Sequence, residues 1–392
     1  AARIRRLARE FAEHRPAMAF IGGAALAHTN GMFHALAVNA LNALGSGVNE
    51  PGGIFFMPRV MASHESPRFE TRVDRLADAI LALERPPVEL LLLHDANPVF
   101  GSPSAWRVKE ALLKVPTIVS FGNFLDETSV LADLILPDHS FLESWTDHVP
   151  ESGAMTSVVS IAPPAMRPLH DTRAMPDVLL EIARRLGRGI DADLSWKTYE
   201  DALKDPSLIP ANASLNVQSP APKAPPARFV EAEFDGAPNE FPFHFLPYAS
   251  QAFLDGSLAH LPWLQEMPDP LTSAMWSSWI EINPETAGRL GIRNGDLVEV
   301  ASRRGALQAP AVVTPGIAPD VVAMPAGQGH ETFTRYASGR GANPLRILAP
   351  LVEPETGTLA WAATRVRISK VEGNGGLILF AGSLREHDPP RR

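Results

Sequence analysis

Apolar residues recur at helical spacing from the start of the chain. Ile4, Leu7, Ala8 and Phe11 share one face of residues 2–14, with Arg and Glu opposite. Ala17–Ile21 then reads as a short buried strand ending at Gly22-Gly23. Asn30 reads as the cap of a helix running to about Leu44 and stopped by Gly45-Ser46-Gly47. A second alternation follows. Val73, Leu76, Ala77 and Ile80 mark a helix, and Val88–Leu93 is a run of strand length, apolar but for Glu89, the pattern of a strand buried on both faces of a parallel sheet. The turn Asp95-Ala96-Asn97-Pro98, a helix near Ala105–Lys114, a strand at Thr117–Phe121, a short helix at Asp126–Leu131 and a strand at Leu134–Leu136 complete it. Such alternation predicts open parallel-sheet, Rossmann-like α/β domains.

The pattern breaks over 206–238, where seven prolines and little periodicity predict a linker or surface excursion. Beyond it the chain is β-rich. Phe243–Leu246, Trp279–Ile282, Leu297–Ala301, Ala311–Thr314, Val321–Met324 and Thr364–Ile368 are short strands, separated by turns such as Asn294-Gly295-Asp296 and Pro315-Gly316. A compact barrel is the natural way to close several short strands.

Composition narrows the function. The 392 residues are 45% hydrophobic and 20% charged, ordinary for a packed protein of two or three domains. No apolar window is long enough for a transmembrane helix. The formal charge of −9 and the lack of a Lys/Arg stripe argue against nucleic acid as a partner. The chain contains no cysteine, which removes disulfides, thiolate zinc sites and cysteine-ligated iron–sulfur clusters from this segment.

Two polar turns follow buried strands, where open α/β sheets bind ligands. Asp95 and Asn97 sit in the first; Asp126, Glu127 and Thr128 open a helix in the second, placed to meet a ribose, base or phosphate. The same tetrapeptides also read as plain turns and caps. In the β-rich part, Gln328 and His330 lie between glycines in Gly327-Gln328-Gly329-His330, either contacting a closely approaching ligand or forming a tight surface turn. His139 and His148 lack convincing metal spacing, and Glu143 with Asp147 reads equally well as a solvated acidic face. Met18, Phe20, Trp263, Trp276 and Trp279 read as core or interface residues. Neither a nucleophile elbow nor a phosphate-binding loop is present.

In order and spacing these segments resemble the molybdopterin oxidoreductase superfamily of the dimethyl-sulfoxide-reductase type. The carriers are the strand with its Asp95-Ala96-Asn97-Pro98 turn, then Asp126-Glu127-Thr128 with Ala132-Asp133-Leu134-Ile135-Leu136-Pro137, and then Asn283-Pro284 through Val300. Four further segments resemble the branch containing the large subunit of alternative complex III and its polysulfide-reductase-like relatives: Leu136–Trp145, Leu261–Glu266, Gly327–His330 and Arg335–Pro344.

The resemblance implies a C-terminal piece of a longer polypeptide. Its parts would be the end of a dinucleotide-binding-like α/β domain (1–62), a second α/β domain (63–195), a linker (196–238), a double-psi β-barrel domain (239–371) and a tail (372–392) leading to a missing module. It implies molybdopterin guanine dinucleotide as the family's cofactor, held by Asp95, Asn97, Asp126, Glu127, Thr128, Gln328, His330 and Asn343. In the alternative-complex branch that cofactor is lost and the fold frames iron–sulfur electron transfer. The partners implied are other subunits of a membrane respiratory complex, among them an iron–sulfur module, with no direct membrane insertion. The location implied is the periplasmic side of a bacterial inner membrane, or alternatively the cytoplasm. No metal ligand and no nucleophile–base set can be named, so the segment alone is expected to be without turnover.

Overall fold

In the computed structural model the described residues are 2–45, 52–55, 72–148, 158–187, 189, 194–205 and 228–380. The expected loop over 46–51, the bulk of the proline-rich stretch (206–227) and the tail beyond 380 lie outside them.

The first part is helical: Ala2–Glu13, Gly23–Leu26, then Gly31–Gly45 directly after Asn30. Ala17–Ile21 does not form the expected strand, and Phe20 is 85% exposed. The side-chain amide of Asn42 takes the place of a strand neighbour, accepting from Ala19 N at 2.7 Å and donating to Ala19 O at 2.9 Å. Both backbone groups of Ala19 are thereby satisfied without a sheet.

The helix Val73–Ala82 leads to a three-stranded, wholly parallel sheet of β1 (Leu90–Leu93), β2 (Thr117–Ser120) and β3 (Leu134–Ile135). Ala77 and Ile80 from this helix pack with Val108, Ala111 and Leu112 from the helix Val108–Leu112 and with Leu93 and Ile118 from the sheet. Burial on both faces is not observed. Leu90 and Leu92 are 55% and 45% exposed, because among the described residues the helices cover only one face. A short antiparallel pair, β4 (Thr146–His148) with β5 (Ser160–Ala162), and the helices Met175–Leu186 and Tyr199–Lys204 follow.

Residues 228–238 are no free linker. Asn30 Nδ2 donates to Val230 O at 2.8 Å, Glu233 N to Thr29 Oγ1 at 2.8 Å, and Asp235 bridges to Thr364 of the β-rich part.

That part is a closed six-stranded barrel. Its strands are β6 (Phe243–Tyr248), β8 (Ile280–Ile282), β9 (Asp296–Ser302), β10 (Gly305–Val313), β11 (Val321–Pro325) and β12 (Arg365–Asn374), with β7 (Ala274–Met275) and β13 (Ile378–Leu379) paired outside it. Around the ring the order is β10-β8-β11-β6-β12-β9, with β10–β8 and β11–β6 parallel and the other pairs antiparallel. Alternating residues point inward: Phe243 and Phe245, Val298 and Val300, Val322 and Met324.

The link between β8 and β9 shows how sequence fixes this shape. Asn283 caps the helix Pro284–Leu290, accepting from Glu285 N at 2.9 Å, and Pro284 occupies its first turn. Gly291, at φ +66°, ends it, and Ile292 N returns to Ala287 O while the Ile292 side chain enters the core. Asn283 Nδ2 also donates to Ile317 O at 2.7 Å. Asn283→Ala removes both bonds and is expected to cost about 1–2 kcal/mol. Urea denaturation measures it; an unchanged midpoint refutes the capping role.

Candidate functional site

The two polar turns at the carboxyl ends of β1 and β2 face the Gly327–His330 loop of the barrel domain across a cleft of about 800 Å3. Asp95, Asn97, Asp126 and His330 line it. Glu127, Thr128, Gln328 and Asn343 are buried behind its walls. Asn97 and His330, 233 positions apart by number, are bonded to one carboxylate oxygen, Oε2 of Glu127, at 2.8 and 3.1 Å. The eight residues thus converge, in two different roles.

Both turns are caps as well as walls. Asn97 precedes the short helix Pro98–Gly101; its Oδ1 accepts from Phe100 N at 3.4 Å and from the Thr128 hydroxyl at 2.7 Å. Asp126 Oδ1 accepts from Thr128 N and Ser129 N at 2.9 and 2.7 Å. Gln328 donates to Gln265 Oε1 at 2.7 Å, and Asn343 donates to Phe100 O at 2.8 Å while accepting from Leu345 N at 2.9 Å.

Glu127 joins the two domains. Besides Asn97 and His330, it accepts from Glu331 N and Thr332 N at 2.7 and 3.2 Å. The other nitrogen of His330, Nε2, faces Gly256 O at 3.1 Å. A carboxylate and a carbonyl only accept, so this ring donates from both nitrogens, as only the imidazolium does. Phe100 stacks on it with centroids 3.7 Å apart. Burial works to raise the Glu127 carboxyl, but the bonds from His330 and Asn97 and the His330 charge outweigh it, and its pKa falls to about 2. Gly256 is required here, since a Cβ would lie 2.5 Å from the Phe100 ring.

Sequence reasoning missed three cleft residues. Tyr248 ends β6, and its hydroxyl donates to the buried Glu281 carboxylate; burial and that partner push its pKa far up. Asp255 and His260 belong to the loop after Phe253; only the Asp255-Gly256-Ser257 turn signalled it. His260 Nδ1 donates to Ser257 O at 3.0 Å, and its ring lies 4.2 Å from Phe124 and 4.8 Å from Phe333. Burial first, then the nearby His330, lowers its pKa, while the Ser257 carbonyl opposes this. Elsewhere, His139 Nδ1 meets the Thr172 hydroxyl, Glu143 accepts from Ser140 N and Leu169 N, and no metal-binding group of three or more His or carboxylate residues exists among the described residues.

The cleft admits a large ligand. Its charge does not suit a diphosphate. Asp95, Asp126 and Asp255 line it, and among the described lining residues there is neither Lys nor Arg. A dianionic linkage would meet like charge there, at carboxylates of which Asp95 and Asp255 are exposed and partly screened by solvent. By these residues the cleft does not fit the dinucleotide that the resemblance implies.

A family model described as "Molydopterin dinucleotide binding domain" matches residues 265–362. The menaquinone reductase molybdopterin-binding-like subunit of Nitratidesulfovibrio vulgaris is 29% identical, over 84% of this chain and 50% of that protein. The thiosulfate reductase molybdopterin-containing subunit of Salmonella typhimurium is 20% identical, over 74% and 45%. The chain spans about half the length of the curated relatives it matches. Among solved structures, acetylene hydratase from Pelobacter acetylenicus superposes with a TM-score of 0.71 at 15% identity, covering 94% of this chain and 63% of that one.

Proposed function

Because the chain belongs to the molybdopterin oxidoreductase superfamily, of the dimethyl-sulfoxide-reductase type, we propose that it is part of the molybdopterin-oxidoreductase-like subunit of a membrane-associated, quinol-oxidising respiratory complex of the alternative-complex-III kind. There it acts as a scaffold for electron transfer, not as the seat of a dinucleotide. The observation that carries this reading is the cleft: its architecture is intact, yet three carboxylates and no Lys or Arg line it among the described residues. The relative named as a menaquinone reductase subunit, itself termed molybdopterin-binding-like, supports the respiratory setting.

In this reading residues 1–62, which hold helices and no strand among the described residues, are the end of an α/β domain, 63–195 a second α/β domain, 196–238 a connection and 239–371 a barrel of the double-psi type; the expected tail over 372–392 begins inside β12, and β13 within it pairs with β7. Partner subunits, an iron–sulfur module among them, supply the redox centres. The assembly lies peripherally on the periplasmic side of the membrane; among the described residues no helix is long and apolar enough to cross one. The second reading, a catalytic subunit that holds molybdopterin guanine dinucleotide, is favoured by the family match over 265–362 and by the size of the cleft.

Molybdenum and pterin analysis of the full-length protein decides between them. The expected result is neither component above trace. Stoichiometric pterin with molybdenum or tungsten establishes the second reading and removes the first.

A further inference from the structure

Away from the cleft, three histidines gather where the N-terminal helices dock on the barrel domain. The stretch 228–238 lies in this seam. Asn30 and Thr29 bond to it, Phe229 packs edge-on against Phe33, and Ala362 N donates to Ala27 O at 3.0 Å. Phe234 contacts two imidazoles, its ring centroid 5.5 Å from that of His28 and 4.8 Å from that of His244. His34 follows on the helix Gly31–Gly45.

The bonding here requires neutral rings. Arg365 Nη1 lies 2.9 Å from His244 Nε2. A guanidinium only donates and stays charged, so the imidazole accepts and its Nε2 carries no proton. A proton there breaks the bond and sets two cations against each other. His28 Nδ1 is buried with no hydrogen-bond partner among the described residues. An imidazolium at that position would bury an N–H without an acceptor. The surrounding charges act in the same direction. Burial first, then His34 and His244, lowers the pKa of His28. Burial and then Arg365 lower that of His244, and Asp320, ahead of β11, opposes them. In the stretch 228–238, Asp235 is held by Arg304 and Arg303, while Arg228, Glu231 and Glu233 are exposed to solvent.

We propose that this seam is a pH-operated latch, closed while His28 and His244 are neutral and released as they take up protons. Release reaches the cleft, because Trp361 lines it and the next residue, Ala362, is the one bonded to Ala27. Protonated histidine clusters part interfaces in this way. The direction follows from the lowered values. Both rings return to about 6.5 once the seam opens, so the latch is complete above that pH and weakens as the pH falls below it.

Hydrogen exchange of the full chain tests the latch, read by mass spectrometry one pH unit above and one below 6.5 and corrected for intrinsic rates. Peptides carrying the amides of Glu233 and Ala362 should lose protection about tenfold at the lower pH, the factor that one ring titrating only in the open state contributes there. Peptides over Val108–Ile118, in the α/β part, should not change. In the double variant His28→Phe, His244→Gln neither position titrates, and the glutamine still offers Arg365 an acceptor. It should keep wild-type protection at the higher pH and lose the response to acid. Equal protection of the seam at both pH values in the wild type overturns the proposal, as does a loss shared equally by Val108–Ile118; neither result needs a variant. A double variant that is protected like wild type at the higher pH, yet keeps the full response, overturns it too.

Discussion

Glu127→Ala is expected to destabilise the protein by about 3 kcal/mol or more at pH 7, the cost of breaking a buried charged pair by deleting one member. His330 is 2% exposed and its Nδ1–H has no other acceptor near; Glu331 N, Thr332 N and the Asn97 amide lose theirs as well. Each buried donor left without a partner adds to the cost. Since Glu127 belongs to the α/β part and His330 to the barrel domain, the variant should also loosen the cleft. Acid gives the charge-specific check. The folded pKa of Glu127, about 2, lies below its ordinary 4.5, so its contribution is complete above pH 4.5 and fades as the pH falls toward 2. The stability gap between wild type and variant, measured by urea denaturation, should therefore shrink between pH 5 and pH 3. A gap that is the same at both pH values would mean the carboxylate charge is not its source.

The parts of this arrangement written in local sequence were readable, and the parts made by distant contacts were not. β2 and the barrel strands announce themselves through alternation or apolar runs bounded by Gly, Pro and Asn turns, and the helix after Asn283 carries both its caps in sequence. Ala17–Ile21 misled because apolar content alone does not make a strand: its backbone found Asn42, and Phe20 faces solvent. Leu90 and Leu92 misled because a run of leucines says nothing about which sheet face has a helix to cover it. At the cleft, family order placed Asn97, Glu127 and His330 together, but their roles follow from hydrogen bonds spanning 30 and 203 positions, which no window of sequence displays. His260 carried no signal, because its importance comes from the loop that delivers it between Phe124 and Phe333.

Gly329→Ala should be the most damaging single-methyl change in the barrel domain. Gly329 has φ +94°, so an alanine is strained there whatever the space around it. The space is also missing: the added Cβ would stand 2.1 Å from Asn343 N and 2.4 Å from the carbonyl carbon of Ala342. Both are backbone atoms in the segment that carries Asn343, so no rotamer change relieves the overlap and the two segments must part. Gly329 N donates to Arg340 O at 2.7 Å, and its chain neighbour is His330, so the shift also pulls at the bonds to Glu127 and Gly256. Gly295→Ala is the control. Its φ is +80°, but an added Cβ meets nothing within 4 Å, so it pays the conformational term alone, about 1 kcal/mol. Gly329→Ala should exceed that by about 2 kcal/mol or more, since overpacking against fixed atoms is added to the strain. Thermal melting of the two variants side by side reads the difference as several degrees. In Gly329→Ala alone, the ring-proton signals of His330 should move as its two hydrogen bonds lengthen. Equal melting temperatures, with the His330 signals unmoved, would show that the Gly329–Asn343 approach is loose and that the loop does not hold His330 in place.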